Sequence, residues 1–330
     1  MTALFRGGEL EAFIANSSGV SESAADGKFN STFARCAILL STGSSSGPDH
    51  ITADTMSWSA QTGDFYFHFE EADGSGGVLS HTVIEWFSGS TANFRIRQTY
   101  PSGSSAGRSW TLQYLNASAV WTDVGSALPI GSGRADYDLF VNITTGVAKL
   151  YVRGSVSAAT ATGLSLGHMS GITKARLHSD TGGRYFSQIV ADTTPTIGYR
   201  LASVHPNGAG SDSAWTGTYL NIDETSLDDA DFVNSATANQ VSTYTLSSVT
   251  LTGYSVQDVT VSFRSKCGGS GPQNIEAVLR SAGTNYFSSN LAQDVGYAPY
   301  QNTWSTDPAT SADWVLASIS SLQAGVKSIA

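Results

Sequence analysis

The residues that invite a chemical test first are Glu70, Glu71 and Asp73, which follow a segment alternating Phe65, Phe67 and Phe69. Two carboxylates about 5–9 Å apart across a cleft can hydrolyse a glycosidic bond. On a strand, such a pair needs acids at alternate positions of one face. Only Glu71 and Asp73 keep this alternation, and no third acid follows at position 75. We therefore predict that the protein is not an enzyme, and keep polysaccharide cleavage by Glu71 and Asp73 as the weaker alternative.

Metal and cofactor chemistry find little support. The six histidines are scattered and no pair has the spacing of zinc ligands. No Gly-x-Ser-x-Gly elbow is present, and the glycine-rich stretches lack the following helix and lysine of a phosphate loop. The acidic run 223–231 lacks the spaced glycine of an EF-hand loop, so we favour a solvated loop over a cation site. We predict no cofactor and no metal.

Tryptophans near polar turn residues point instead to carbohydrate binding. Sugars stack on exposed aromatic rings while Asn and Asp side chains bind their hydroxyl groups. The candidate glycan residues are Trp58, Asp73, Trp110, Asn116 and Trp121. The alternative for each tryptophan is a place in the hydrophobic core, since large aromatic residues dominate sandwich interiors.

Charge and hydropathy exclude several classes of partner. The net charge is −10 and the pI about 4.9, with no basic cluster, so we expect no nucleic-acid partner. No run approaches 18 apolar residues, so we expect no membrane insertion. Residues 1–14 contain Glu9 and Glu11 where a signal peptide would be apolar, which favours synthesis in the cytoplasm. Cys36 and Cys267 are expected to be buried thiols.

These residues would be positioned by strands. Only 13% of the residues are charged against a usual ~25%, and short alternating segments recur between Gly- and Ser-rich turns. We predict an all-β protein of two tandem β-sandwiches with one short C-terminal helix. The predicted divisions are an attachment or edge segment at 1–27, a first sandwich at 28–192 and a second at 193–330. Within the second, 197–204 is predicted as a strand and 206–218 as a polar loop.

The predicted helix lies near the C-terminus. Ser311 is placed at the N-cap, and Val315, Ile319 and Leu322 form an apolar stripe at helical spacing. Gly325 is placed just past the last turn, where a left-handed residue ends many helices.

Residues 28–192 resemble a concanavalin A-like, laminin-G-like jelly roll. The resemblance rests on a hairpin followed by a Leu-Tyr-Val-x-Gly pattern, and on a terminal strand at 186–192. The matching positions are Gly146, Leu150, Tyr151, Val152 and Gly154. The resemblance to a jelly roll implies that the terminal strand returns beside the N-terminal strand. It says little about function.

Residues 198–330 resemble a domain of tailed-phage and prophage virion structural proteins. Several widely spaced motifs agree in order, at positions Pro206, Gly208, Trp215, Asp223, Glu224, Asp228, Asp229, Val233, Ser235, Asp307, Pro308, Thr310, Trp314, Leu322, Gly325 and Val326. The physical interpretation of these motifs is structural. Trp304 and Trp314 flank Asp307-Pro308, and an Asp before Pro can accept hydrogen bonds from the next free N–H groups.

The second resemblance implies a protein of the virion exterior, such as a tail fibre, head fibre or decoration protein, made in the host cytoplasm without a signal peptide. Its expected partners are other virion proteins, copies of itself, and a host-surface polysaccharide. A purely structural assembly protein without a ligand remains the alternative. The particle, the copy number and the glycan are left open by the sequence.

Overall fold

The protein folds almost entirely into antiparallel strands, arranged as two tandem β-sandwiches with one short helix, which confirms the predicted fold class. The computed structural model describes residues 3–7, 12–13, 20–25, 27–40, 50–51, 57–73, 80–99, 108–130, 133–152, 156–178, 183–224, 227–249 and 251–330. The chain divides into two units, residues 1–201 and 202–330. Among the described residues, no helix is long and apolar enough to cross a membrane.

The described residues of the first unit form two eight-stranded sheets, with strands numbered in chain order. Sheet 1 contains β1 (Ala3–Gly7), β2 (Val20–Ser23), β3 (Ala37–Leu40), β6 (Asp64–Asp73), β12 (Ala135–Asn142), β13 (Val147–Val152), β14 (Val156–Ala161) and β16 (Arg184–Asp192). Sheet 2 contains β4 (His50–Ile51), β5 (Ser57–Gln61), β7 (His81–Ser88), β8 (Thr91–Thr99), β9 (Ser109–Leu115), β10 (Trp121–Asp123), β11 (Leu128–Pro129) and β15 (Ile172–His178).

The strand order explains how the sequence closes the first sandwich. Sheet 1 runs β14-β13-β12-β6-β16-β3-β2, with β1 also paired to β16. The terminal strand therefore returns beside the N-terminal strand, as the jelly-roll resemblance implies. Sheet 2 runs β10-β9-β8-β7-β15-β4, with β11 paired to β9 and β5 to β15.

Aromatic side chains fill the space between the two sheets of the first unit. Phe65, Phe67 and Phe69 alternate along β6 and are fully buried, as their spacing predicts. Phe67 meets Trp86 edge-on with ring centroids 5.4 Å apart. Trp110 packs on Tyr137 at 4.3 Å. Burial of rings of this size supplies the main stabilisation of the sandwich.

A strap formed by residues 193–200 extends the first unit beyond the predicted boundary at 192. The Thr194 backbone N–H and hydroxyl both donate to Asp192 Oδ1, at 2.9 and 2.8 Å. Thr196 Oγ1 donates to Asp138 Oδ1 at 2.7 Å, and Arg200 Nη2 to Asp136 Oδ2 at 2.6 Å. The strand predicted at 197–204 is wrong, because these residues belong to no strand, and Arg200 pairs through its side chain with Asp136 of β12.

The second unit packs a six-stranded sheet against a two-stranded one. Sheet 3 contains β17 (Pro206–Ser213), β18 (Val241–Leu246), β20 (Asn274–Ser281), β21 (Thr284–Phe287), β22 (Leu291–Ala292) and β24 (Gln323–Ile329). Sheet 4 contains β19 (Val259–Ser265) and β23 (Ala298–Trp304). The predicted polar loop at 206–218 is wrong over its first part, where β17 pairs with β18. Cys267 in this unit and Cys36 in the first are both buried and form no disulfide, as predicted.

The C-terminal helix is shorter than predicted from an N-cap at Ser311 and a terminating Gly325. The helix α1 covers Leu316–Ile319, and Val315, not Ser311, precedes its first turn. Gly325 lies inside β24 and does not end a helix. A side chain at this position would meet the backbone of β18, so the glycine serves close strand packing.

Candidate functional site

The predicted glycan residues fall at separate places in the first unit. Trp110 is fully buried and its Nε1 donates to Gln98 Oε1 at 2.9 Å, so it has no exposed face for a sugar. Trp58 stacks on Phe65 at 5.4 Å and donates to the Ile172 carbonyl. The prediction of Trp110 as a stacking residue is therefore wrong, and Trp58 serves mainly packing.

The other candidates lie at strand ends and in a turn. Asp73 is the last residue of β6. Asn116 follows β9, and its Oδ1 accepts from the Ser118 and Val120 backbone N–H groups, which shapes the turn into β10. Trp121 begins β10 and is only partly buried. Of the predicted tryptophans, Trp121 is the one whose position suits an external ligand.

Trp121 lies on the outer face of sheet 2, beside a row of polar side chains that we call the polar row. In strand order the row consists of Arg176, Glu85, Arg95 and Gln113, and it ends at Asp123. Their strand neighbours, including Ala175, Trp86, Phe94 and Leu112, point into the core. Because side chains alternate along a strand, the row is directed away from the core.

Hydrogen bonds link the end of the polar row that lies next to Trp121. Arg95 Nε donates to Gln113 Oε1 at 2.8 Å, and Gln113 Nε2 donates to Asp123 Oδ1 at 2.7 Å. The Arg95 guanidinium lies 4.0 Å from the centroid of the Trp121 ring. This contact holds the indole in place and covers one of its faces, so a sugar ring would stack on the opposite face.

The other end of the polar row centres on Glu85. His178 Nε2 lies 3.0 Å from Glu85 Oε2, and Arg176 and Arg95 flank the same carboxylate in the strand register. Burial acts to raise the pKa of Glu85, but the hydrogen bond and charge of His178, with the charges of Arg176 and Arg95, bring it below its ordinary value. Glu85 is therefore ionised and held in place near neutral pH.

The lowered pKa of Glu85 predicts a specific pH dependence of stability. An acid with a depressed folded-state pKa stabilises the fold above its ordinary value of 4.5, and this contribution is lost as the pH falls through the folded value. We expect Glu85→Gln to lower the thermal midpoint at pH 6 and to have a shrinking effect towards pH 3. Circular dichroism melts at several pH values measure this, with Asp64→Asn as the control. A difference that grows on acidification would contradict the assignment.

The positions of acids and tryptophans in the sequence do not indicate that this face also carries cationic side chains. Arg97 follows Arg95 on the same side of β8, and Lys174 lies beside Arg176 on β15. The Lys174 and Arg176 head groups lie 5.2 and 4.7 Å from the Phe87 ring centroid. The alternation of Arg95 with Arg97 was the available signal, since it marks one solvent-directed face of a strand.

Of Glu71 and Asp73, the acids proposed for polysaccharide cleavage, Glu71 lies in the interior of the first unit, and the Asp73 side chain lies outside the described residues. Glu71 is fully buried and forms an ion pair with buried Arg184, whose Nη2 also contacts His81 Nε2 and Gln98 Oε1. Glu70 is buried too, accepts from Ser187 Oγ and has a pKa raised chiefly by burial. Neither Glu71 nor Glu70 reaches a substrate on the surface.

The acidic segment 223–231 uses its described acids in local contacts. Asp229 forms a two-point ion pair with Arg264 at 2.8 and 3.0 Å, and Asp231 Oδ1 accepts from Asn221 Nδ2 at 2.6 Å. Asp228 Oδ1 accepts a hydrogen bond from the Ala230 backbone N–H at 2.8 Å. The part of the chain that the structure describes contains no group of three or more His, Cys, Asp or Glu residues suited to a metal ion.

The predicted structural motif of the second unit occupies packing positions. Asp307 Oδ1 accepts from the Ala309 N–H at 3.0 Å and from Ser281 Oγ at 2.9 Å, so it ties the Pro308 turn to β20. Buried Trp314 donates from Nε1 to the Trp304 carbonyl at 2.8 Å. Trp215 likewise donates to the Gln240 carbonyl at 3.0 Å. The Asp307 and Trp314 contacts join the C-terminal segment to sheets 3 and 4, and the Trp215 contact joins the residues that follow β17 to those that precede β18.

The fold and this face define a two-unit β-sandwich protein with a polar and aromatic surface on one sheet. The sequence matches no protein-family model and no curated protein. The resemblance of residues 198–330 to phage virion domains therefore rests on the quoted motifs.

Solved structures similar to the chain include a cellulose-induced protein, Cip1, with 12% identity and a TM-score of 0.39, covering 53% of this chain and 85% of that one. A pentraxin from Limulus polyphemus has 13% identity and a TM-score of 0.32, covering 52% and 75%. A carbohydrate esterase from the Shiga toxin-encoding bacteriophage phi24B has 9% identity and a TM-score of 0.36, covering 54% and 88%. At these TM-scores we draw no argument from the likeness.

Proposed function

We propose that the protein is a non-catalytic, glycan-binding structural protein on the exterior of a tailed-phage or phage-like particle. The observation that carries the glycan part is the outer face of sheet 2, where partly buried Trp121 adjoins the polar row. An aromatic ring fixed beside hydrogen-bonding side chains is the combination that holds sugar rings. The target would be a polysaccharide of the host surface.

The virion part of the proposal is supported by the ordered motifs in residues 198–330. A fibre or decoration protein is present in many copies, so weak glycan sites would gain avidity from their high effective concentration. The second unit would supply contacts to other virion proteins or to copies of the chain.

Replacing the tryptophan tests glycan binding directly. We expect Trp121→Ala to weaken binding to a panel of immobilised bacterial surface polysaccharides by about tenfold or more, the loss typical of an aromatic anchor. Trp58→Phe is the matched control, because its ring packs on Phe65 and lies off the polar row. Unchanged binding by a folded Trp121→Ala protein would contradict the site.

The location of the protein needs a separate test. Gold-labelled antibody against residues 28–192 should mark a fixed place on the head or tail of purified particles. Absence of label from intact particles would remove the virion proposal. Label on particles without any glycan binding would favour the purely structural alternative.

A further inference from the structure

The outer face of sheet 2 carries more positive than negative charge in a protein with a net charge of −10. Four cationic side chains, Arg95, Arg97, Lys174 and Arg176, lie on the same side of the sheet as two carboxylates, Glu85 and Asp123. At physiological ionic strength, charges are screened over about 8 Å. A ligand lying on this face therefore interacts mainly with these local charges.

Arg97 is the least compensated of the four cations. Its side chain is half-buried, and within the described ranges it forms no hydrogen bond, ion pair or ring contact. It lies beside Arg95 on β8, and burial together with the Arg97 charge lowers the pKa of Arg95. Two adjacent guanidinium groups repel each other, so this arrangement costs stability in the free protein and is relieved when an anion binds.

Arg176, at the other end of the face, lies against the Phe87 ring but is also only partly satisfied. Its Nε atom is buried and has no hydrogen-bond partner in the part of the chain that the structure describes. The nearby carboxylate of Glu85 is shared, since it also contacts His178 and faces Arg95. One shared carboxylate does not neutralise these cations, so a further anionic group beside them would be favoured electrostatically.

We propose that the polysaccharide bound on this face is acidic, with its anionic groups placed at Arg97 and Arg176 and a sugar ring on Trp121. This inference rests on the proposed glycan-binding function and specifies its substrate class. Guanidinium groups suit such a ligand because they form paired, charge-assisted hydrogen bonds with carboxylate or sulfate oxygens. The ligand would thus supply the negative charges that neutralise Arg97 and Arg176, a role that carboxylates of the described residues do not fill.

The test compares polysaccharides that differ only in charge. Binding of the full chain is measured to polygalacturonate and its methyl ester, and to dextran sulfate and dextran. We expect the acidic member of at least one pair to bind about tenfold more tightly, with the preference lost in about 1 M salt as charges are screened. The first pair reports carboxylate recognition and the second sulfate recognition.

Single substitutions then test whether the preference for acidic polysaccharides depends on the outer face of sheet 2. Arg97→Gln should weaken binding to the acidic member about fivefold or more, with little change for the neutral member, and Arg97→Lys should restore much of it. Lys149→Gln is the matched control, since it removes one positive charge from β13 in the other sheet. Because Arg97 has no side-chain partner to lose, the variant should remain folded.

The outcomes separate this inference from the proposed function. Equal binding to both members of each pair, abolished by Trp121→Ala, would overturn the acidic class and leave glycan binding in place. An acid preference that Lys149→Gln and Arg97→Gln reduce equally would also overturn it, because the effect would then be one of net charge. Failure to bind any polysaccharide in the wider panel would overturn glycan binding itself.

Discussion

Gly325→Ala is expected to destabilise the second unit by more than about 3 kcal/mol, beyond the usual range for overpacking. A Cβ atom at this position would lie 1.9 Å from the Ser242 carbonyl oxygen and 2.8 Å from the Thr243 Cα. Both obstacles are backbone atoms of β18, which cannot move aside as a flexible side chain can. Because β24 lies between β18 and β20, the clash separates central strands of sheet 3.

Urea unfolding of the full chain measures this effect. Gly296→Ala is the matched control, because a Cβ there has no atom within 4 Å and should leave the midpoint nearly unchanged. Equal midpoints for Gly325→Ala and the wild type would contradict the close approach of β24 to β18.

Glu71→Gln is expected to cost the first unit about 3–5 kcal/mol, the usual penalty for removing one partner of a buried ion pair. Arg184 is almost fully buried and retains its charge, so the variant leaves a cation in the interior opposite a neutral amide. Asp64→Asn removes a charge from the same strand at an exposed position and should change stability by less than about 0.5 kcal/mol.

A double variant distinguishes the loss of the pair from a general intolerance of the site. Replacing both residues, as Glu71→Leu with Arg184→Met, removes the uncompensated charge and should recover a large part of the lost stability. The free energies of unfolding are measured in urea for the wild type, Glu71→Leu, Arg184→Met and the double variant. A double variant that is as unstable as the sum of its parts would show that the ion pair is not the cause.

The buried position of Glu71 also bears on function. A catalytic carboxylate must reach its substrate within hydrogen-bonding distance, and Glu71 is held in the core by Arg184. Glu71 is therefore out of reach of a polysaccharide at the surface, which weakens the cleavage alternative that pairs it with Asp73. The predicted non-catalytic role therefore remains our proposal.

Alternation along single strands predicted most of the first unit. Phe65, Phe67 and Phe69 specify a strand with one buried face, and the hairpin of β12 and β13 follows from the turn at residues 144–146. These signals are local, since each can be seen within ten residues. The sandwich architecture followed because the strands are numerous and short.

The errors arise where long-range packing overrides local signals. The Gly- and Ser-rich β17 resembles a loop in sequence, yet Gly208 and Gly210 let it lie close to β18. Gly325 suits a helix end locally, but its strand neighbours decide its role. The polar row was not predictable, because Glu85 and Arg176 meet only through the register of β7 with β15.

The position of β16 in sheet 1 determines when the first unit can fold during synthesis. This strand pairs with β1, β3 and β6, and its contact between Arg6 and Ala191 joins residues 185 positions apart. Contacts this distant in sequence form slowly. Until Asp192 has left the ribosome, β3 and β6 each lack their shared neighbour and expose an unpaired edge. A chain terminated before Arg184 keeps both edges open, and we expect such fragments to pair with one another through these edges.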